Sequence, residues 1–325
     1  MTAATVTPKP QLDVLYFKLF DDCNARCNMC TCWELPRTRR DTEYYVDVLD
    51  RLLPLRPAAV RFTGGEPLLL PGLPELVERT ANTGARVSVI TNGRVLCSKA
   101  ARLADAGCVE IVLSLDAVGP AHDQIRATPG LFEHCMRGID ALSEVGLAYG
   151  VNTVVQRTGI ADLTALAELL LARPIRPRWW HLIPVRDYPG LAPTPAQQAE
   201  FHKALPAMRE SIAEHGIDLV ADETMFVDTG PQPCEVPWFT AYASADTGEL
   251  FGCNMLSHRD LTVGTFVVGQ AEATWLGPQA AALRRRCQDG VNDPCRSCDW
   301  GSQAMNHLLR ALAITHHGAG RDGAR

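Results

Sequence analysis

From residue 13 to about 185 the chain repeats one unit: a short β-rich run, a turn containing Gly, Pro or Asn, then a helix-period stretch. The pattern predicts strands at 14–20, 59–63, 86–91, 109–115, 147–155 and 178–184. Helices are predicted between them at 42–53, 73–82, 98–106, 131–144 and 162–171. Parallel strands need long crossovers, so this alternation predicts an α/β fold with a parallel sheet. Periodicity does not decide between an open sheet and a barrel. In both forms ligands collect at the C-terminal ends of the strands.

The first strand-end loop reads Asp21-Asp22-Cys23-Asn24-Ala25-Arg26-Cys27-Asn28-Met29-Cys30, three cysteines at C-x3-C-x2-C. Three thiolates can hold three corners of an iron–sulfur cube and leave the fourth iron for another ligand. On spacing alone a zinc knuckle or buried thiols stay open. The chain has twelve cysteines, and its start lacks the apolar core of a signal peptide. Residues 1–12 read as a flexible tail and the expected location is the cytoplasm, where clustered cysteines more often mean metal than disulfides. The net charge of -6 over 325 residues offers no electrostatic case for nucleic acid or an anionic membrane. No apolar run is long enough to predict a spanning helix.

The second strand ends in Arg61-Phe62-Thr63-Gly64-Gly65-Glu66-Pro67, the third in Thr91-Asn92-Gly93 and the fourth in Ser114-Leu115-Asp116-Ala117. Together with the cysteine loop these segments resemble the radical S-adenosylmethionine (SAM) enzymes. The resemblance implies a partial (β/α)6 TIM-like barrel. It also implies a [4Fe-4S] cluster on Cys23, Cys27 and Cys30, whose unique iron chelates SAM and whose electron splits it to a 5'-deoxyadenosyl radical. Met29 then lies against the adenine, and Gly64, Gly65 and Glu66 bind the methionyl amine. Ser114 contacts the ribose and Arg126 the methionyl carboxylate, with Asn152 as a further cofactor contact. His122 and His134 are expected to be structural.

Proline and glycine between 184 and 195 break the alternation and predict a boundary. The domains expected are a barrel over 13–189, a second α+β module over 190–313 and a disordered tail over 314–325. In the module a helix is predicted near 196–215, strands near 217–221 and 241–251, and helices near 274–286 and 302–314. Cys234, Gly248 and Cys253 form C-x13-G-x4-C, followed by Cys295-x2-Cys298. Such paired units can close a zinc site or hold a second cluster. Their order resembles the SPASM/Twitch extension of radical SAM enzymes. The resemblance implies the shorter Twitch form, with Cys234, Cys253, Cys295 and Cys298 on one auxiliary [4Fe-4S] cluster. Cys97, Cys108 and Cys135 read as core thiols. Cys32 is an unusual addition, and Cys287 is a plain thiol or a hydrogen donor near the auxiliary site.

Period two puts Tyr16 and Lys18 on one strand face, and a charge within a barrel strand usually faces the lumen. Lys18, His181 and Arg186 are the candidate catalytic residues, suited to a polar, oxygen-rich small molecule; charges that only complete the SAM pocket are the alternative. Twitch relatives in antibiotic pathways imply oxidation of a sugar or aminocyclitol alcohol to a ketone. Decarboxylation of a sugar uronate and redox-neutral epimerisation are the nearest alternatives, and a non-catalytic iron–sulfur or zinc protein is the different class. Peptide modification is disfavoured because no leader-binding module precedes residue 13. A flavodoxin or ferredoxin is implied as electron donor by the family alone.

Overall fold

The computed structural model describes residues 10–321 apart from 38, 222, 229, 231, 258–260, 267–269, 293–294, 296–297 and 299, with backbone alone at 300 and 313–321. Among the described residues ten strands form one sheet: β1 Val14–Lys18, β2 Ala59–Thr63, β3 Arg86–Thr91, β4 Cys108–Ser114, β5 Ala148–Val155, β6 Trp179–Pro184, β7 Asp218–Val220, β8 Thr240–Ser244, β9 Glu249–Phe251 and β10 Thr262–Thr265. Their order is β10-β9-β8-β1-β2-β3-β4-β5-β6-β7. From β8 through β7 every neighbour is parallel, and β9 and β10 add antiparallel strands at the β8 edge.

The six expected strands appear with ends shifted by at most two residues. The stretch 184–195, where the boundary is expected, is a βα connection between β6 and the next helix. Thr194 opens the next helix, Pro195–Ala213, with a capping box to Gln197 and proline in its first turn. That helix leads into β7, which pairs in parallel with β6, so the alternation continues by one unit. On the other edge β8 pairs in parallel with β1, joining the C-terminal segment to the same sheet. The strand expected over 241–251 is two strands, because Gly248 at φ 69 turns the chain between β8 and β9. The last helix runs Trp300–Arg321, so 314–321 are helical where a disordered tail was expected. Residues 1–9 and 322–325 of the predicted tails lie outside the described residues.

The two sheet faces carry different cores. Leu15, Phe17 and Leu19 pack with Leu49, Leu76, Leu142 and Leu166 of the covering helices. Val14 and Tyr16 face the concave side, where Val112 and Trp179 meet Met305 and Leu309 of the last helix. Burying each such side chain stabilises the fold by about 1.5–3 kcal/mol. The last helix therefore packs into the lower part of the concave face. Among the described residues, no helix is long and apolar enough to cross a membrane.

Candidate active site

The Cys23–Cys30 loop leaves β1 and lies directly on the turn that ends β2. Gly65 N donates to Phe20 O at 2.6 Å and Glu66 N to Asp22 O at 2.9 Å. A Cβ on Gly65 would stand 2.3 Å from Asp22 O, and one on Gly64 (φ +151) 2.6 Å from Phe20 O. Both glycines thus let the two loops touch backbone to backbone. The opposite side is strapped to the loop after β4, with Arg26 N donating to Arg126 O at 3.2 Å and Asn28 N to Ile125 O at 3.1 Å.

Glu66 is 1% exposed. Its Oε1 accepts from Leu68 N at 3.1 Å and Thr91 Oγ1 at 2.7 Å, and its Oε2 from Asn92 N at 2.8 Å. Burial pushes its carboxyl up to about 7 against the pull of these donors. A carboxylate has about four acceptor positions, so these donors leave room for one more. An ammonium fits that position.

The sulfurs receive donors from neighbouring strand ends. Ala25 N points at Cys23 Sγ at 3.5 Å and Asn92 Nδ2 at the same sulfur at 3.8 Å, while Arg126 Nη1 reaches Cys27 Sγ at 3.8 Å. The Cys32 thiol hydrogen-bonds Cys30, which lowers the pKa of Cys30 and raises that of Cys32. Burial pushes the Cys23 thiol up to about 11 and also raises Cys27. A metal that replaces the thiol protons would oppose that cost. N–H groups aimed at buried sulfurs are the surroundings cluster thiolates use, so these residues fit the group. Among the described residues no three His, Cys, Asp or Glu are grouped as a single metal ion needs. A cube, which bonds each thiolate to a separate iron, does not require that grouping.

Arg126 also makes a bidentate pair with Asp116, Nε to Oδ2 at 2.5 Å and Nη2 to Oδ1 at 2.9 Å. Asp116 further accepts from Val154 N at 2.9 Å. Arg126 therefore sits beside the cysteine loop with part of its fork already held. His122 is fully buried, its Nδ1 accepting from Asp116 N at 3.1 Å, and burial lowers its pKa to about 4. It supports the loop, while His134 is half-buried beside Arg137. Thr91, Asn92 and Asp116 were missed as site residues. Their place at the ends of β3 and β4 was the available signal.

Two polar layers cross the concave face. In the lower one Arg61 donates to Ser88 Oγ at 3.0 Å and Glu110 Oε2 at 3.1 Å, and Trp179 Nε1 to Glu110 Oε1 at 3.0 Å. Tyr16 OH donates to Asn306 Oδ1 at 3.2 Å. The upper layer lies two to four residues further along the strands. Lys18 stands in register with Ser244, and Ser114 with Asn152 and then His181. Asn152 Oδ1, both His181 ring nitrogens and Ser244 Oγ are buried without a hydrogen-bond partner. His181 is 4% exposed, and burial followed by the Arg186 and Arg61 charges lowers its pKa to about 3. Lys18 Nζ pairs with Asp21 Oδ2 at 2.7 Å. Arg186 reaches Met255 Sδ at 3.5 Å and Ser302 Oγ at 3.3 Å, both on the wall of a second pocket. Met29, within the cysteine loop, is half-buried.

That second pocket gathers Cys234, Cys253, Cys295 and Cys298, the four expected auxiliary ligands, and also Cys287. Asn292 Nδ2 donates to Cys295 Sγ at 3.0 Å, and the Arg186 charge opposes the burial that pushes Cys298 up to about 11. Thiols and donors of this kind also fit a cluster.

Comparison with known proteins agrees with this geometry. Residues 17–170 match the radical SAM superfamily. A PqqA peptide cyclase of Streptomyces rochei is 28% identical, covering 87% of this chain and 80% of that protein. An Fe-coproporphyrin III synthase of Methanosarcina barkeri is 26% identical over 54% of this chain and 45% of its own length. The chain thus spans about half the length of several curated relatives that it matches. Among solved structures, Streptococcus suis SuiB bound to S-adenosylmethionine superposes with a TM-score of 0.69 at 13% identity, over 85% of this chain and 68% of that one. The fold is that of SPASM/Twitch-type radical SAM enzymes with a partial barrel.

Proposed function

We propose that this chain, whose residues 17–170 match the radical SAM superfamily, oxidises an alcohol carbon of a small hydroxylated metabolite, of the sugar or aminocyclitol kind, to a ketone. The bound cluster and SAM supply the 5'-deoxyadenosyl radical that removes the carbinol hydrogen. Cys23, Cys27 and Cys30 hold the cluster. Glu66 receives the SAM amine at its remaining acceptor position, Arg126 offers its outer N–H to the carboxylate, and Ser114 faces the ribose. Met29 flanks the adenine.

The observation that carries the substrate class is the upper polar layer. Buried polar groups are nearly always satisfied, so orphans such as Asn152 Oδ1, the His181 ring and Ser244 Oγ point to a missing hydroxylated partner. His181, held neutral by burial, takes the hydrogen bond of the reacting hydroxyl, and the Lys18 and Arg186 cations favour oxygen atoms over apolar ones. Loss of that hydroxyl proton and one electron turns the substrate radical into the ketone. Cys234, Cys253, Cys295 and Cys298, in the module over 190–313, would hold the auxiliary acceptor for the electron, with Arg186 on the wall between the two sites. A flavodoxin or ferredoxin would supply the reducing electron, and we place the reaction in the cytoplasm.

The test is turnover with a panel of polyols deuterated at carbinol carbons. One 5'-deoxyadenosine per ketone, carrying the substrate deuterium, supports the reading. Release of carbon dioxide from a uronate favours decarboxylation, and inversion without net oxidation favours epimerisation. A peptide substrate is the second reading, since the PqqA peptide cyclase aligns over most of this chain.

A further inference from the structure

The auxiliary pocket offers five cysteines, one more than a [4Fe-4S] cube has irons. Cys287 lies outside the C-x13-G-x4-C and C-x2-C pattern, at the end of the helix Pro278–Gln288. It is 2% exposed and lines the pocket with the other four. Its carbonyl accepts from Cys234 N at 2.9 Å, which pins it beside an expected ligand. Asn292 Nδ2 reaches both Cys295 Sγ at 3.0 Å and Cys287 Sγ at 3.6 Å, and the two thiols hydrogen-bond each other. Core thiols elsewhere in the chain behave differently. Cys108 and Cys135 donate to backbone carbonyls, Glu110 O at 3.4 Å and Asn92 O at 3.3 Å. The Cys287 sulfur instead meets a second sulfur and an amide donor, at the edge of a cysteine-lined cavity.

We propose that Cys287 and Cys295 are alternative ligands for one corner of the auxiliary cluster. Cys295 bonds the iron in the native protein, and Cys287 takes the corner when that bond opens. The exchange breaks one iron–sulfur bond and makes another. The Cys287 proton passes to the departing Cys295 thiolate, its hydrogen-bond partner, and no electron moves. The shared Asn292 amide can donate to whichever sulfur carries the negative charge. This rests on the reading of the pocket as a cluster site.

The test is iron and sulfide content, with the EPR spectrum of the reduced protein, for Cys295→Ala, Cys287→Ala and the double variant purified without oxygen. Each single variant should keep about eight irons and the double variant about four. Cys295→Ala should also show a changed auxiliary signal, because a different thiolate completes the site. A fall to about four irons in either single variant overturns the proposal, as does retention of eight in the double variant. The first-site signal serves as the control for folding, and Cys295→Ser provides a second variant if alanine destabilises the chain. If the unaltered protein holds only about four irons, the auxiliary-site reading itself fails, a result distinct from loss of the exchange.

Discussion

At the end of β1 three sulfurs lie on one short loop, whereas in the C-terminal pocket five sulfurs arrive from four separate segments. The first set is braced by strand ends: Asn92 and Arg126 donate to its sulfurs, and the β2 turn supports it through backbone hydrogen bonds. The second depends on packing of β8, β9 and the last helices around it. A braced loop with three ligands can keep one iron open and still hold its shape, as a reaction with an external cosubstrate requires. A pocket with enough thiols for every corner suits an electron acceptor. Across the concave face lie a floor in which Arg61, Ser88, Glu110 and Trp179 are paired to one another and an upper layer in which Asn152 Oδ1, the His181 ring and Ser244 Oγ have no partner.

Removing one sulfur from each site should break the comparison most severely. Cys27→Ala should lower reductive SAM cleavage by about 10³-fold or more, measured as 5'-deoxyadenosine. Unchanged cleavage would remove the first site from the account. Cys234→Ala should lose about four irons and the oxidised product while SAM cleavage continues without coupling; full iron content would contradict it. The lumen floor comes next. Glu110→Ala leaves Arg61 buried without its carboxylate and should cost about 3–5 kcal/mol in urea unfolding, against almost nothing if the layer were wet.

The smallest effect concerns His181. Its pKa is lowered to about 3 in the fold, so the unfolded chain binds a proton that the folded one refuses. Stability from this group is complete above about pH 6.5 and falls as pH drops towards 3, by at most about 1.4 kcal/mol per pH unit. His181→Leu should flatten that slope between pH 7 and 5 and stabilise the ligand-free fold by about 1 kcal/mol, while weakening substrate binding. A variant with the same slope as the parent would show that burial does not hold the His181 imidazole neutral.

Much of this was legible in the chain because local signals agree. Strands β1 to β6 have apolar runs bounded by turn residues, and the cysteine spacings name their own sites. Tyr16 and Lys18 share the concave face as period two requires. The errors lie where a distant partner decides the outcome. Pairing of β8 with β1 brings Thr240 beside Val14, which no local pattern announces. Proline at 184–195 signals a turn equally well within a domain or between two. The floor pair Arg61 and Glu110 was predictable in kind, as charges inside strands, but their union depends on register across β2, β3 and β4. Its position in the chain puts Cys287 near the auxiliary site, but its helix end meets Cys295 only through folding.

The most direct test is EPR of the reduced first cluster in the Cys234→Ala protein, where the auxiliary signal is removed, with and without SAM. The account predicts that SAM shifts the spectrum, because its amino and carboxylate groups bind the iron that Cys23, Cys27 and Cys30 leave open. An identical spectrum in both samples would contradict it.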